Sequence, residues 1–293
     1  MLLRLGLALG LLHLSLAWWC TGHLLVAQIA ELDLQEENPA AWLWAQSAIE
    51  AMGETLTHGT ADTFVESACW ADDIKSFGLE TMNDWHFVNH PYNPTGIMNI
   101  VEYPDGDGLF ALAQALSTLN GSSIATSPFE TSFAMRYLIH LVGDLHQPLH
   151  VADMWSPAFP TGDLGGNLFP INFTNGITEL HALWDSCLGH FTSDPVRPLN
   201  ATVWSFLETQ ASTLRFYYPR SSLVQPLSDA VPASWALTNF QLAVLYAYNI
   251  TQNAEPSSLY LQIGWEVVQK QLALAGYRLS DLVQAMYGTT LSI

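Results

Sequence analysis

The sequence predicts a mainly α chain: a single multi-helix domain with long loops and at most a small β-hairpin. Three observations carry that reading. Several segments repeat apolar residues with helical spacing, alternating strand patterns are scarce, and Gly, Pro, Asn and Asp gather in two long loops. In order, the helical segments are "GHLLVAQIAEL", "AAWLWAQSAIEAM", "LFALAQALSTL", "SFAMRYLIHLVGDL", "ATVWSFLETQASTLRFYY", "SWALTNFQLAVLYAYNI" and "SLYLQIGWEVVQKQLALAGYRLSDLVQAMY". "NLFPINF" (167–173) is the best strand candidate, as half of a small hairpin. The loops are "NHPYNPTGIMNIVEYPDGDG" (89–108) and "MWSPAFPTGDLGGN" (154–167). Loops of this length often surround a site.

Composition narrows the function. The chain has 293 residues, 49% of them hydrophobic, which is ample for a core. It carries 27 acidic residues against 8 Lys and Arg, a formal charge of −19. That argues against a protein that grips nucleic acid with a basic groove. A nucleic-acid substrate stays open if metal ions carry the positive charge.

The first residues read as a secretory signal. Arg4 gives a positive start, "LGLALGLLHL" an apolar run, and "SLA" small residues before a cut after Ala17. The expectation is a signal peptide at 1–17 and one domain over 18–293. Cleavage removes Arg4 and takes the formal charge from −19 to −20. The early run is short for a membrane anchor, and no later stretch is long and apolar enough to span, so the mature chain is expected to have no membrane span. Sequons at Asn120, Asn172, Asn200 and Asn249 fit glycosylation along a secreted route. The predicted location is outside the cell or in the lumen of the secretory or endolysosomal system. Cys20, Cys69 and Cys187 are an odd set, so one is left over, and the pairing stays open.

The chemistry concentrates in "HLVGDLHQPLH". His140 and Asp144 are four apart and share one helix face, while Pro148 disrupts the next turn and could bring His150 to the same pocket. "HALWD" repeats the spacing with His181 and Asp185. Imidazole nitrogen and carboxylate oxygen are zinc donors. One His-x-x-x-Asp unit alone is usually a surface ion pair. Two of them, with His23, His86 and Asp72 of "CWADD" set among tryptophan and apolar residues, point to metal. His58, His90, His146 and His190 read as ordinary structural histidines.

Six motifs in order, "WWCTGH", "CWADD", "WHFVNHPYN", "HLVGDLHQPLH", "GGN" and "HALWD", resemble those of the type I zinc nucleases. These are the single-strand-specific nucleases of fungi and plants and the 3'-nucleotidase/nucleases of trypanosomatids. The resemblance implies the helical zinc-dependent phospholipase C/nuclease fold with three Zn2+ ions as cofactors. By matching position, it implies one ion on Asp72, His86, His140 and Asp144. A second would sit on Asp144, His23 and the amine and carbonyl of Trp18, and a third on His150, His181 and Asp185. Signal cleavage would then free the Trp18 amine to bind.

The implied reaction is metal-assisted hydrolysis at the 3'-oxygen of single-stranded DNA or RNA, leaving 5'-phosphates, with 3'-mononucleotides as further substrates and a monomeric enzyme. Asp72 and Lys75 are the candidate catalytic residues. Lys75 stands where the fungal pattern has an arginine facing phosphate. Phe87 matches the position that stacks a base, and Asn89 stands where fungal members carry aspartate. Tyr92 and Asn167 are further pocket candidates.

Two other readings are kept. A zinc-dependent phospholipase C shares the fold, but its last unit typically ends in Glu, where this chain has Asp185. A non-catalytic secreted metal-binding protein on the same scaffold would lack a ligand, and none of the expected set is missing.

Overall fold

A computed structural model describes residues 18–52, 59–101, 106–120, 127–174 and 176–290. The predicted signal peptide, His58, the middle of the 89–108 loop and the residues that follow Asn120 in its sequon lie outside the described residues.

Helix boundaries follow from local chemistry. α1 (Cys20–Glu37) stops at Asn38, whose side chain accepts from Ala41 N and starts α2 (Pro39–Glu50). Pro39 fits a first helical position, where no N–H is needed. A run of short turns follows: 3-10 turns Glu66–Cys69, Ile74–Phe77 and Glu80–His86 around the single helical turn α3 (Trp70–Asp73). Strand β1 (His90–Tyr92) comes next. Asp107 accepts from Phe110 N and caps α4 (Gly108–Leu119).

α5 (Pro128–Asp144) opens with a capping box, Ser127 against Glu130. It cannot run on because Pro148 holds Gln147 extended, at ψ 116°. The chain turns through Pro148–Val151 into β2 (Ala152–Met154). α6 (Leu180–Asp185), α7 (Ala201–Tyr217, capped by Asn200) and α8 (Val224–Leu227) follow. α9 (Pro232–Leu242) widens into a π turn, Ala243–Ala247, before the long α10 (Ser258–Thr290).

α1 lies along α10 and α7, and α5 lies against α4 and α2. Every residue of α1 from Cys20 to Ala30, and of α5 from Ala134 to Asp144, is buried. These two helices are the centre of the molecule, so any polar group on them is desolvated. The Cys20–Cys69 disulfide ties the start of α1 to the turn before α3, and Cys187 is left free and buried.

The strands differ from expectation. "NLFPINF" forms no strand and contributes one isolated antiparallel bridge, Pro170 to Glu179. The regular pair is β1 with β2, parallel, with His90 opposite Ala152. A pairing of distant three-residue strands leaves no alternation to read. It does set the beginnings of the 89–108 and 154–167 loops side by side, next to His150. No described helix is long and apolar enough to cross a membrane.

Candidate metal centre

His23 on α1 and His140 on α5 face each other across the core, their rings stacked at 3.9 Å. Asp144, one turn beyond His140, comes within reach of both. His140 Nε2 is 3.3 Å from Asp144 Oδ2, and His23 Nε2 is 3.3 Å from Asp144 Oδ1. α3 adds Asp72, whose Oδ1 lies 3.7 Å from both His140 Nε2 and His86 Nδ1. His86 Nδ1 is 2.9 Å from His140 Nε2 and 3.0 Å from Asp144 Oδ2.

Five of the distances among these donor atoms of Asp72, His86, His140 and Asp144 lie between 2.9 and 3.7 Å. Zinc bonds of ~2.1 Å require donors roughly 3.3 Å apart, and the observed distances straddle that value. Two imidazole nitrogens 2.9 Å apart can share a proton or serve as a pair of ligands to one ion. His23 Nδ1 and Nε2, His86 Nε2 and Asp144 Oδ1 are buried and have no hydrogen-bond partner among the described residues. Leaving such groups unsatisfied costs several kcal/mol, roughly 2–7 for each neutral group. A cation between His23 Nε2 and Asp144 Oδ1, 3.3 Å apart, removes that cost for those two atoms. The donor set fits zinc.

A second cluster stands beside the first. His181 Nε2 is 3.1 Å from His150 Nε2 and 3.2 Å from Asp185 Oδ2. The opposite nitrogens are tied back: His150 Nδ1 donates to His86 O at 2.8 Å, and His181 Nδ1 to Gly165 O at 2.7 Å. In the first cluster, His140 Nδ1 does the same to Ala68 O at 2.6 Å. These bonds leave each Nε2 lone pair for the cluster centre, the arrangement of metal-binding histidines. Three candidate groups result: His23/His140/Asp144, Asp72/His86/His140 and His150/His181/Asp185, all of them buried.

Burial pushes His23, His86 and His150 below the usual histidine value and so favours the neutral ring. Burial alone would lower His140 too, but Asp144 and Asp72 raise it to about 9. Burial would raise Asp144, and the facing His140 holds it well below the usual carboxylate range. A metal ion competes with the His140 proton.

Residues 18–288 match the S1/P1 Nuclease family. The chain belongs to that family. Among its relatives, "Endonuclease 4" of Arabidopsis thaliana is 25% identical, aligned over 95% of this chain and 92% of its own length. "Nuclease P1" of Penicillium citrinum is 23% identical over 94% of this chain and 100% of its own. "Nuclease S1" of Aspergillus oryzae is 25% identical over 61% of this chain and 56% of its own. As an S1/P1 nuclease the chain is a phosphodiester hydrolase.

The structure brings together His23, Asp72, His86, His140, Asp144, His150, His181 and Asp185, and places the buried Trp18 beside them through Trp18 Nε1, which donates to Gly143 O at 3.0 Å. Lys75 is buried and ion-paired with Asp72 Oδ1 at 2.8 Å. Phe87 is half-buried, stacked on His150 at 4.8 Å. Asn89 is half-buried with φ +28°. Tyr92 leans its ring on Tyr248 at 5.4 Å, and Asn167 Nδ2 donates to Leu164 O within its own loop. His90, His146 and His190 fall outside the three groups: His90 packs on Phe240, His146 accepts from Arg278, and His190 stacks on Trp265. All four sequon asparagines are exposed.

Some contributors carry no sequence signal of their own. Gln147 sits inside the histidine motif, and its Nε2 donates to Asp185 Oδ1 at 2.6 Å. Gly143 makes room for His23, since a Cβ there would stand 2.7 Å from His23 Nδ1. Both residues flank candidate ligands, which is the one clue the sequence offers.

Proposed function

We propose that signal cleavage after Ala17 yields a secreted, monomeric, three-zinc nuclease. It would cleave single-stranded DNA and RNA at the 3'-oxygen, leave 5'-phosphates, and accept 3'-mononucleotides. The observation that supports it best is Asp144, whose Oδ1 faces His23 and whose Oδ2 faces His140, in a chain of the S1/P1 nuclease family.

In this reading Asp72, His86, His140 and Asp144 hold one ion. Asp144, His23 and the amine and carbonyl of Trp18 hold its neighbour, and His150, His181 and Asp185 hold the third. Bound zinc supplies Lewis acidity at the phosphate and activates water at mild pH. The chain's own residues do the rest. Lys75 keeps donors to spare beyond its bond to Asp72 and offers positive charge to a phosphate. Phe87 presents an aromatic face to an unpaired base, which a duplex would keep buried. Asn89 offers both a donor and an acceptor to the base edge. Tyr92 and Asn167 are engaged within the protein and shape the pocket wall. Exposed Asn120, Asn172, Asn200 and Asn249 are open to glycosylation. His181–Asp185 in place of a His-to-Glu unit, together with the family match, disfavours a phospholipase C.

The test is the purified secreted chain. Zinc is counted by elemental analysis, and single-stranded DNA, RNA, a 3'-mononucleotide and a phosphatidylcholine analogue are assayed side by side. The expected outcome is three zincs, with hydrolysis of the nucleic acids and the mononucleotide. Cleavage of the lipid analogue alone, or no metal, overturns the proposal.

A further inference from the structure

Two aspartates outside the metal groups, Asp153 and Asp163, are fully buried. Burying a carboxyl pair is costly, so their bonds identify their task. Asp153 belongs to β2, and Asp163 lies at the far end of the following loop. Asp153 Oδ1 accepts from Leu164 N at 2.7 Å, and Asp163 Oδ1 accepts from Met154 N at 2.8 Å. Each side chain thus holds the backbone next to the other, a reciprocal clasp. Tyr248, just after the π turn, donates its hydroxyl to the same Asp163 oxygen at 2.9 Å.

The clasp closes on an improbable piece of backbone. Leu164, Gly165 and Gly166 are left-handed in succession, with φ 55°, 65° and 87°. For Leu164, which has a Cβ, this conformation is strained, and its bond to Asp153 offsets the strain. The turn packs so closely that a Cβ on Gly165 would stand 2.4 Å from Leu149 O. What it delivers is the Gly165 carbonyl, 2.7 Å from His181 Nδ1, while Gly166 O accepts from His181 N at 3.3 Å. A ring nitrogen facing a carbonyl must donate, so His181 is fixed with its Nε2 lone pair toward His150 and Asp185.

We infer that Asp163 and Asp153 are positioning residues for the third metal ion, acting through the 161–167 loop and the Gly165 carbonyl on His181. The inference rests on the reading of His150, His181 and Asp185 as ligands.

The experiment measures zinc stoichiometry and chelator competition on the full mature chain, with folding checked by circular dichroism. In Asp163→Ala, one of the three ions should bind about 10–100-fold more weakly, the usual effect of removing an outer-shell partner, with the other two unchanged. Asp163→Asn keeps the accepting oxygen and should restore that ion. A clasp that served folding alone would lower the melting temperature without singling out one ion. Should Asp163→Ala not fold, Asp153→Ala leaves the Asp163 bonds standing and carries the same expectation. His181→Ala run alongside separates the two layers of the argument. If it loses no ion, the ligand reading falls, and the positioning role with it. If it loses one ion while the folded Asp163→Ala or Asp153→Ala holds all three at wild-type affinity, or weakens all three equally, the positioning role alone is overturned.

Discussion

The cluster around Asp144 and the cluster around His181 use the same residue types but are held by different means. Around Asp144 the side chains come mainly from buried helices: His23 from α1, His140 and Asp144 from α5, Asp72 from α3. Helix packing sets their positions; His140 is also tied to Ala68 O, while His23 has no hydrogen-bonded nitrogen among the described residues. Around His181, each ligand candidate is tied to the protein: His150 to His86 O, His181 to Gly165 O, and Asp185 to Gln147. On the three-zinc reading proposed above, the first cluster completes its bonding with metal. The second is pre-oriented by backbone carbonyls and an amide. The pair of ions should therefore be sensitive to its shared carboxylate and to the N-terminus, and the single ion to the loop that feeds it.

The largest expected effect is that of Asp144→Ala. Two ions should be lost together and the third retained, because one carboxylate faces both His140 and His23. Activity on single-stranded DNA should fall by roughly a thousandfold or more, since a catalytic metal supplies several kcal/mol. Elemental analysis checks it, and loss of one ion or none would remove the bridging role.

Next comes the N-terminus. A glycine added before Trp18 displaces the amine, whose ordinary pKa of about 7.7–8.0 lets a metal displace its proton near neutral pH. One ion should be lost, with the His150/His181/Asp185 ion retained. Gly143→Ala should weaken the ion shared by Trp18, His23 and Asp144 by crowding His23. Mass spectrometry confirms the N-terminus, and three full-affinity zincs in either protein contradict the expectation.

The same contrast governs what could be read beforehand. The long helices were legible because a buried face repeats every turn over ten or more residues. The His-x-x-x-Asp spacing was legible because helix geometry alone puts both groups on one face. The 66–86 turns carrying Asp72, Lys75 and His86 have no such period, and tertiary contacts hold them, among them the Cys20–Cys69 disulfide. The parallel β1–β2 pair and the Asp153–Asp163 clasp join residues whose meeting depends on the completed fold. The sequence marks "GDLGGN" as a loop and offers Asn167 as its pocket candidate. The aspartate two residues before the glycines does more of the holding.

A smaller effect is expected at Phe87, which leans on the pre-oriented half. Phe87→Ala should weaken nucleotide binding by ~1–3 kcal/mol with the zinc count unchanged. Unaltered affinity in a folded variant would make Phe87 a packing residue only.

The smallest effect is a slope. Burial pushes the Asp163 carboxyl up to about 7, from an ordinary value of 3.8. Its folded value is the higher one, so between those pH values the folded chain keeps a proton that the unfolded chain has released. Stability from this group therefore falls as pH rises through the window, by at most about 1.4 kcal/mol per pH unit, and levels off above it. Asn at 163 cannot titrate but keeps the accepting oxygen. The melting temperature of Asp163→Asn minus that of the wild type, at fixed zinc, should rise from pH 5 to pH 7 and then flatten. The Asp144 half runs the opposite way, because a carboxylate held low loses its contribution as pH falls. Taking the difference between variant and wild type at each pH cancels that half. A flat difference, or one that falls with pH, would mean that Asp163 is ionised throughout and that the clasp holds a charge rather than a proton.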